Sequence, residues 1–270
     1  MDKITPLLLP HARDLIAVLR FYTRLPIPAL PFETDPHAMP DFERGARVLP
    51  IAGGLIGLIG ALALGFCAAL GLPALPAAIL ALSALTIATG AMHEDGLADF
   101  ADSFGAAERA RKLEIMQDSR LGTFGVLALV ASLGLRAAAL AALAERFGFG
   151  AAGAALVASA AVSRTAGLLP LFLLPPARPD GAGKAAAAPS SEALNLAAGL
   201  STLIALLIPA AGMGFGRMFL ALALAVGGAL GVTALARRAL GGQTGDVAGA
   251  AQQLAEIAFL CGLLIGARAG

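Results

Sequence analysis

From Leu75 to Met92 the chain carries no charged side chain, and similar apolar runs recur along its length. This constrains the fold strongly. A run of about twenty apolar residues suits the bilayer interior, where only helices and closed barrels satisfy their own backbone hydrogen bonds. Only 14% of the residues are charged and 58% are hydrophobic, whereas a soluble domain carries roughly a quarter charged residues. The expected fold is all-α: a polytopic integral membrane helical bundle of about six to seven transmembrane helices. Spans are expected near 50–71, 75–92, 122–144, 150–174, 194–211, 217–236 and 254–267, the last one short because Glu256 intrudes on it.

One domain covering 1–270 accounts for this pattern. Ahead of the spans, segment 1–49 is mixed. Asp14 to Tyr22 reads as a short amphipathic helix with Leu15, Val18, Leu19 and Tyr22 on one face, expected to lie at the membrane interface. Pro26 and Pro28 end it. Gly53, Gly54, Gly57 and Gly60 place small residues at helical steps on the first span, which lets a neighbouring helix approach closely. Cys67 and Cys261 sit inside apolar runs and read as small packing residues. No signal-peptide pattern is expected at the N-terminus, and no internal repeat of the inverted-transporter kind is evident.

Charge sets the orientation. With the N-terminus cytoplasmic, fourteen Lys and Arg residues fall inside, and only Arg146, Arg217 and Arg268 fall outside. The long polar loops, 93–121, 175–193 and 237–253, then share the cytoplasmic face, while the outer connections are a few residues each. Such one-sidedness suits chemistry at one surface. A net charge of +1 argues against a nucleic-acid partner.

The first of these loops opens with four carboxylates in nine residues: Glu94, Asp95, Asp99 and Asp102. On a helix the three aspartates fall at i, i+4 and i+7, within an arc of roughly 60°. Like charges on one stripe repel, so a divalent cation is the simplest partner, and hard oxygen donors favour Mg²⁺ or Mn²⁺ over zinc. A basic stretch, Arg109 to Lys112, follows, as expected where a metal and phosphates are held together. In the third loop a Gly-rich turn, Gly241 to Gly245, leads to Asp246 at the start of a helix, where Asp246 reads either as a ligand or as an N-cap. Arg136, Arg164 and Glu256 lie within spans and should face the bundle, paired or substrate-binding. A secondary transporter and a CDP-alcohol-type membrane phosphotransferase are the alternatives on these residues alone.

Three blocks carry a resemblance: His93 to Asp99 (HEDGLAD), Ile115 to Gly125 (IMQDSRLGTFG) and Gly242 to Asp246 (GQTGD). Together with Phe21 to Pro26 and the Arg178 to Lys184 stretch, they resemble the cobalamin synthase family, the adenosylcobinamide-GDP ribazoletransferases. The resemblance runs over essentially the whole chain. It implies a Mg²⁺-dependent enzyme of the bacterial inner membrane, with its N-terminus and active-site loops cytoplasmic. Such an enzyme joins adenosylcobinamide-GDP to α-ribazole or its 5′-phosphate and releases GMP. Carried onto this sequence, it points to Asp95, Asp99, Asp102 and Asp246 as catalytic and, with Glu94, as metal-binding. Arg24, Arg109, Asp118, Arg120, Arg178, Lys184, Gln243 and Thr244 would contact substrate and its phosphates.

Overall fold

A computed structural model describes residues 5–30, 33, 35, 39–178 and 188–266. Lys184, with its neighbours Asp180 and Gly181, lies outside the described residues.

The described chain is a helical bundle. Helix α1 (Thr5–Tyr22) is followed by the short α2 (Phe42–Gly45) and a 3-10 turn that leads into α3 (Leu49–Ala69). Then come α4 (Ala74–Thr89), α5 (Met92–Ser103), α6 (Arg109–Ile115), α7 (Thr123–Phe147), α8 (Phe149–Ala166) and α9 (Leu169–Leu173). The last four, numbered in order, are α10 (Ser191–Ala205), α11 (Leu207–Ala210), α12 (Phe215–Leu240) and α13 (Gly245–Leu264). Six segments are long and apolar enough to cross a bilayer: 42–69, 123–147, 149–173, 191–210, 215–240 and 245–264. Large apolar side chains such as Leu62, Phe66, Ile87, Leu127, Val130 and Phe219 are exposed on the outside of the bundle. In water that would be a liability; in lipid it is the wetting surface. The chain is a multi-pass membrane protein.

The interior is held by small residues. A Cβ on Gly53 would lie 2.6 Å from the Ala160 carbonyl, and one on Gly57 would lie 2.8 Å from the Val157 Cα. The backbones of α3 and α8 therefore touch, as the glycine spacing predicts.

Four expectations are refined or corrected. The seventh apolar helix, α4, has only 16 residues, about 24 Å at 1.5 Å per residue and short of the ~30 Å hydrocarbon core. Its continuation α5 bends from it by 91°, and the two together are apolar and long enough to count as a seventh, broken span, within the expected six to seven. The segment expected at 254–267 is in fact the 20-residue α13, beginning at Gly245, because Glu256 is neutralised by partners remote in sequence. The stretches 93–121 and 237–253 are largely helical rather than loops. Finally, α1 is longer than the stretch from Asp14, and its Val18 and Tyr22 are buried against the protein, with Leu15 and Leu19 packed beside them. The apolar face assigned from sequence is therefore occupied by the bundle.

Candidate active site

The elbow between α4 and α5 is made by two residues in the left-handed region, Gly90 (φ 64°) and Ala91 (φ 57°). For alanine this conformation costs about 1–2 kcal/mol. It is pinned from outside: the Arg24 amide donates to the Ala88 carbonyl at 2.7 Å, and the Arg24 side chain packs over Gly90, where a Cβ would meet its Nε at 2.6 Å. Arg24, expected at the substrate, thus lies on the elbow that aims α5.

Helix α5 forms as the carboxylate spacing predicts, and its four acids meet different surroundings. Glu94 is buried and bonds Arg136 at 3.1 Å. Asp102 is buried too; its two oxygens accept the Gly122 and Gly125 amides at 2.7 and 2.8 Å. Those amides belong to the start of α7, so Asp102 caps that helix from another element. Glycine at both positions is required by closeness, since a Cβ on either would collide with the carboxylate. Asp95 is exposed, and no donor among the described residues bonds its carboxylate. Asp99 is half-buried; burial raises its carboxyl to about 7, and Asp95, Asp246 and Asp102 add to the rise.

Asp246 reaches this group from α13. A Cβ on Gly96 would lie 3.0 Å from the Asp246 Cα and carbonyl oxygen, so α5 and α13 cross there in backbone contact. The N-cap of α13 is Thr244, whose hydroxyl accepts the Val247 amide at 3.2 Å. Asp246 is therefore free of the capping role that the sequence left open. It lies 4.0 Å from Arg178, which also donates to the Leu113 carbonyl.

The loop-bearing ends are laced together by backbone. The Gln243 amide donates to the Pro175 carbonyl and the Ala177 amide to the Gln243 carbonyl, both at 2.8 Å. Arg109 donates to the Leu240 and Ala177 carbonyls at 2.6 and 2.7 Å, which satisfies the end of α12. Of the residues expected at phosphate, Arg109 is thus engaged in holding loops. Arg120 pairs with Asp118 at 2.5 Å on the surface. Gln243 and Thr244 are buried behind Asp246.

Two cavities flank Asp95. One, of about 430 Å³, is lined by Glu94, Asp95, Asp99, Gln117, Asp118 and Ser119. The other, of about 200 Å³, is apolar and aromatic, with Phe21, Tyr22, Phe42 and His93 on its walls, Arg164 within it, and Asp95 and Asp246 sharing its lining. Burial, with Arg164 and Arg136 nearby, holds the His93 imidazole well below its usual pKa. Sequence reasoning missed this aromatic wall; the only signal was that Tyr22 is the sole tyrosine.

The buried charges form one network. Arg136 bonds Glu94 and lies 3.5 Å from Glu256; Gln252 donates to Glu256 at 2.7 Å and to Ser163 at 2.9 Å; Ser132 donates to Gln253 at 2.8 Å. Intramembrane charges are tolerated when paired in this way. The Arg136–Glu256 pairing was one of the two options the sequence allowed.

Do these residues suit a divalent cation? Among the described residues no three His, Cys, Asp or Glu side chains converge into a ready-made metal cage. Mg²⁺ seldom uses one: it binds through one or two carboxylates and fills its remaining positions with water and substrate phosphates. Asp95, unpartnered and exposed beside Asp99 and Asp246, is a hard-oxygen donor set of that kind.

A family model described as cobalamin-5-phosphate synthase matches residues 14–264. A protein of Azorhizobium caulinodans named adenosylcobinamide-GDP ribazoletransferase is 52% identical, over 96% of this chain and 98% of its own. Proteins of the same name from Xanthobacter autotrophicus and Brucella anthropi are 48% and 43% identical, over 94% and 93% of this chain and 96% of each of theirs. No solved structure matches. With the match covering nearly every residue from α1 to α13, the chain belongs to the cobalamin-5-phosphate synthase family.

Proposed function

We propose that this chain is a Mg²⁺-dependent transferase that joins adenosylcobinamide-GDP to α-ribazole, or to its 5′-phosphate, yielding adenosylcobalamin or its phosphate and GMP. The observation that carries this reading is Asp95, exposed and unpartnered between two cavities, with Asp99 and Asp246 beside it. The site faces the cytoplasm of the bacterial inner membrane, on the charge asymmetry of the loops.

Asp95 and Asp246 are the residues that would hold Mg²⁺, with Asp99 adjoining them. When bound, the ion supplies positive charge to the diphosphate and to the departing GMP. The acceptor hydroxyl attacks the phosphorus that carries cobinamide; the bond between the two phosphates breaks, and GMP leaves with the electron pair. Asp99 takes the hydroxyl proton, a role that suits Asp102 less, because Asp102 is buried and its two oxygens each accept an amide. Arg178, reaching toward Asp246, lies where it can steady a phosphate oxygen. The elbow at Gly90 and Ala91, with Arg24 packed on it, keeps the carboxylates aimed. The buried arginines do not favour a transporter, because Arg136 is matched by Glu94 and Glu256.

The test is GMP release by the detergent-purified chain given adenosylcobinamide-GDP and α-ribazole. Release should need added Mg²⁺, stop with a chelator and return when Mg²⁺ is restored. Release at the same rate in excess chelator would remove the metal from the reading, and no release under any condition would remove the reading itself.

A further inference from the structure

The aromatic cavity is not used by the chemistry above, yet it opens beside Asp95. Its walls gather Phe21, Tyr22 and Phe42, whose rings meet edge to face with centroids 5.0 to 6.3 Å apart, and Tyr22 stacks on His93 at 5.3 Å. Only 5% of the chain is aromatic, so four rings at one cavity mark a surface suited to a flat ring. Arg164, 6% exposed, lines the same space. It donates from Nη1 to the Ala160 carbonyl at 3.1 Å, and its buried Nε has no hydrogen-bond partner. The guanidinium carries five donors and this bond uses one of them, so it keeps donors for an occupant bearing a lone pair.

The charges around Arg164 narrow the occupant. Glu256 and Glu94 lie close enough to offset its charge, and Asp95 and Asp246 line the same cavity. A phosphate there would meet carboxylates. A neutral ring with an acceptor nitrogen would meet none of that repulsion. The volume, about 200 Å³, suits a bicyclic ring and is below the roughly 300 Å³ at which pockets for larger ligands begin, so it excludes a corrin macrocycle.

We propose that this cavity receives the neutral bicyclic heteroaromatic base of the acceptor, with Phe21, Tyr22 and Phe42 against its faces and edges and Arg164 donating to its ring nitrogen. This rests on the transferase reading and divides the site: acceptor on the aromatic side of Asp95, donor diphosphate on the polar side. Arg164 and Phe21 then become specificity-determining residues.

Two probes test this on the parent chain in detergent: benzimidazole, which has an acceptor nitrogen, and indole, which has none. Benzimidazole should inhibit GMP release competitively against α-ribazole and not against adenosylcobinamide-GDP, and bind about tenfold or more tightly than indole, the worth of one such hydrogen bond. Arg164→Met, which removes the donor, should raise the acceptor KM by a similar factor, leave the donor KM unchanged and erase the preference for benzimidazole. Phe21→Ala should weaken both probes alike. Equal binding of benzimidazole and indole by the parent, or competition with the donor, would overturn the proposal, and that comparison decides the matter even if a variant does not fold. Equilibrium dialysis of the two probes needs no turnover. A chain that releases no GMP but still prefers benzimidazole would therefore sink the transferase reading and leave the ring site standing.

Discussion

Glu94 and Asp95 are adjacent on α5, and the structure treats them in opposite ways. Glu94 turns into the bundle, buried beside Arg136 at 3.1 Å, in a network that continues through Glu256 and Gln252 to Ser163. Asp95 stands exposed between two cavities, with Asp99 and Asp246 close by and no donor bound to it among the described residues. The first set has its charge balanced inside the fold; the second keeps an excess of negative charge facing the cavities. Matched charges stabilise position, whereas unmatched ones wait for a ligand. The comparison therefore separates residues whose loss should unfold the protein from residues whose loss should silence it.

The largest effect is expected in the balanced set. Arg136→Ala leaves Glu94 and Glu256 buried without their cation, a loss of about 3–5 kcal/mol, seen as a much lower melting temperature in detergent or as failure to accumulate. Replacing Arg136→Met together with Glu94→Gln should restore much of that stability, since the one remaining buried carboxylate, Glu256, is then left with Arg164 as its cation. If Arg136→Ala melts like the parent, the network is not structural.

Asp95→Asn should do the reverse. The carboxylate has no protein donor to lose, so melting should hold within a degree or two, while GMP release falls by about a hundredfold or more, the scale of losing one electrostatic stabiliser of a transition state. A variant that turns over at near the parent rate would break the division between the two sets.

Asp102 shows how far the division was legible in the sequence. The i, i+4, i+7 spacing announced the helix and its stripe correctly, and Asp95 and Asp99 do face the site. The same spacing made Asp102 look equivalent. Its partners are backbone amides 20 and 23 residues away, and amides leave no side-chain signature beyond the two glycines that make room. The last span was misjudged for a related reason. Glu256 looked like an interruption because its cation, Arg136, lies 120 residues earlier. Local pattern conveys periodicity, and the partner that cancels a charge is a tertiary fact. The membrane helical bundle and the close approach at Gly53 and Gly57 came from local pattern, and there the reading held. Asp102→Ala should accordingly lower stability by about 2 kcal/mol, the scale of losing hydrogen bonds to a charged group, and speed proteolysis between Met116 and Gly122. The Mg²⁺ concentration giving half-maximal rate should stay put. A large rise in that concentration at unchanged stability would return Asp102 to the open set.

Thr244 offers the finest cut, because it touches both roles. Its hydroxyl accepts the Val247 amide, capping α13, and donates to Asp246 Oδ2, both at 3.2 Å. Thr244→Ala should cost about 1 kcal/mol through the cap, a small downward shift in melting. Thr244→Ser keeps the hydroxyl and should recover the stability. Alanine also releases Asp246 from its only hydrogen-bonding side-chain partner among the described residues, so the rate should respond separately from the fold. If Asp246 belongs with the open carboxylates, Thr244→Ala should shift the Mg²⁺ dependence several-fold, and Thr244→Ser should restore it. A melting shift with an unmoved Mg²⁺ dependence would leave Thr244 as a cap alone and weaken the case for Asp246 as a ligand.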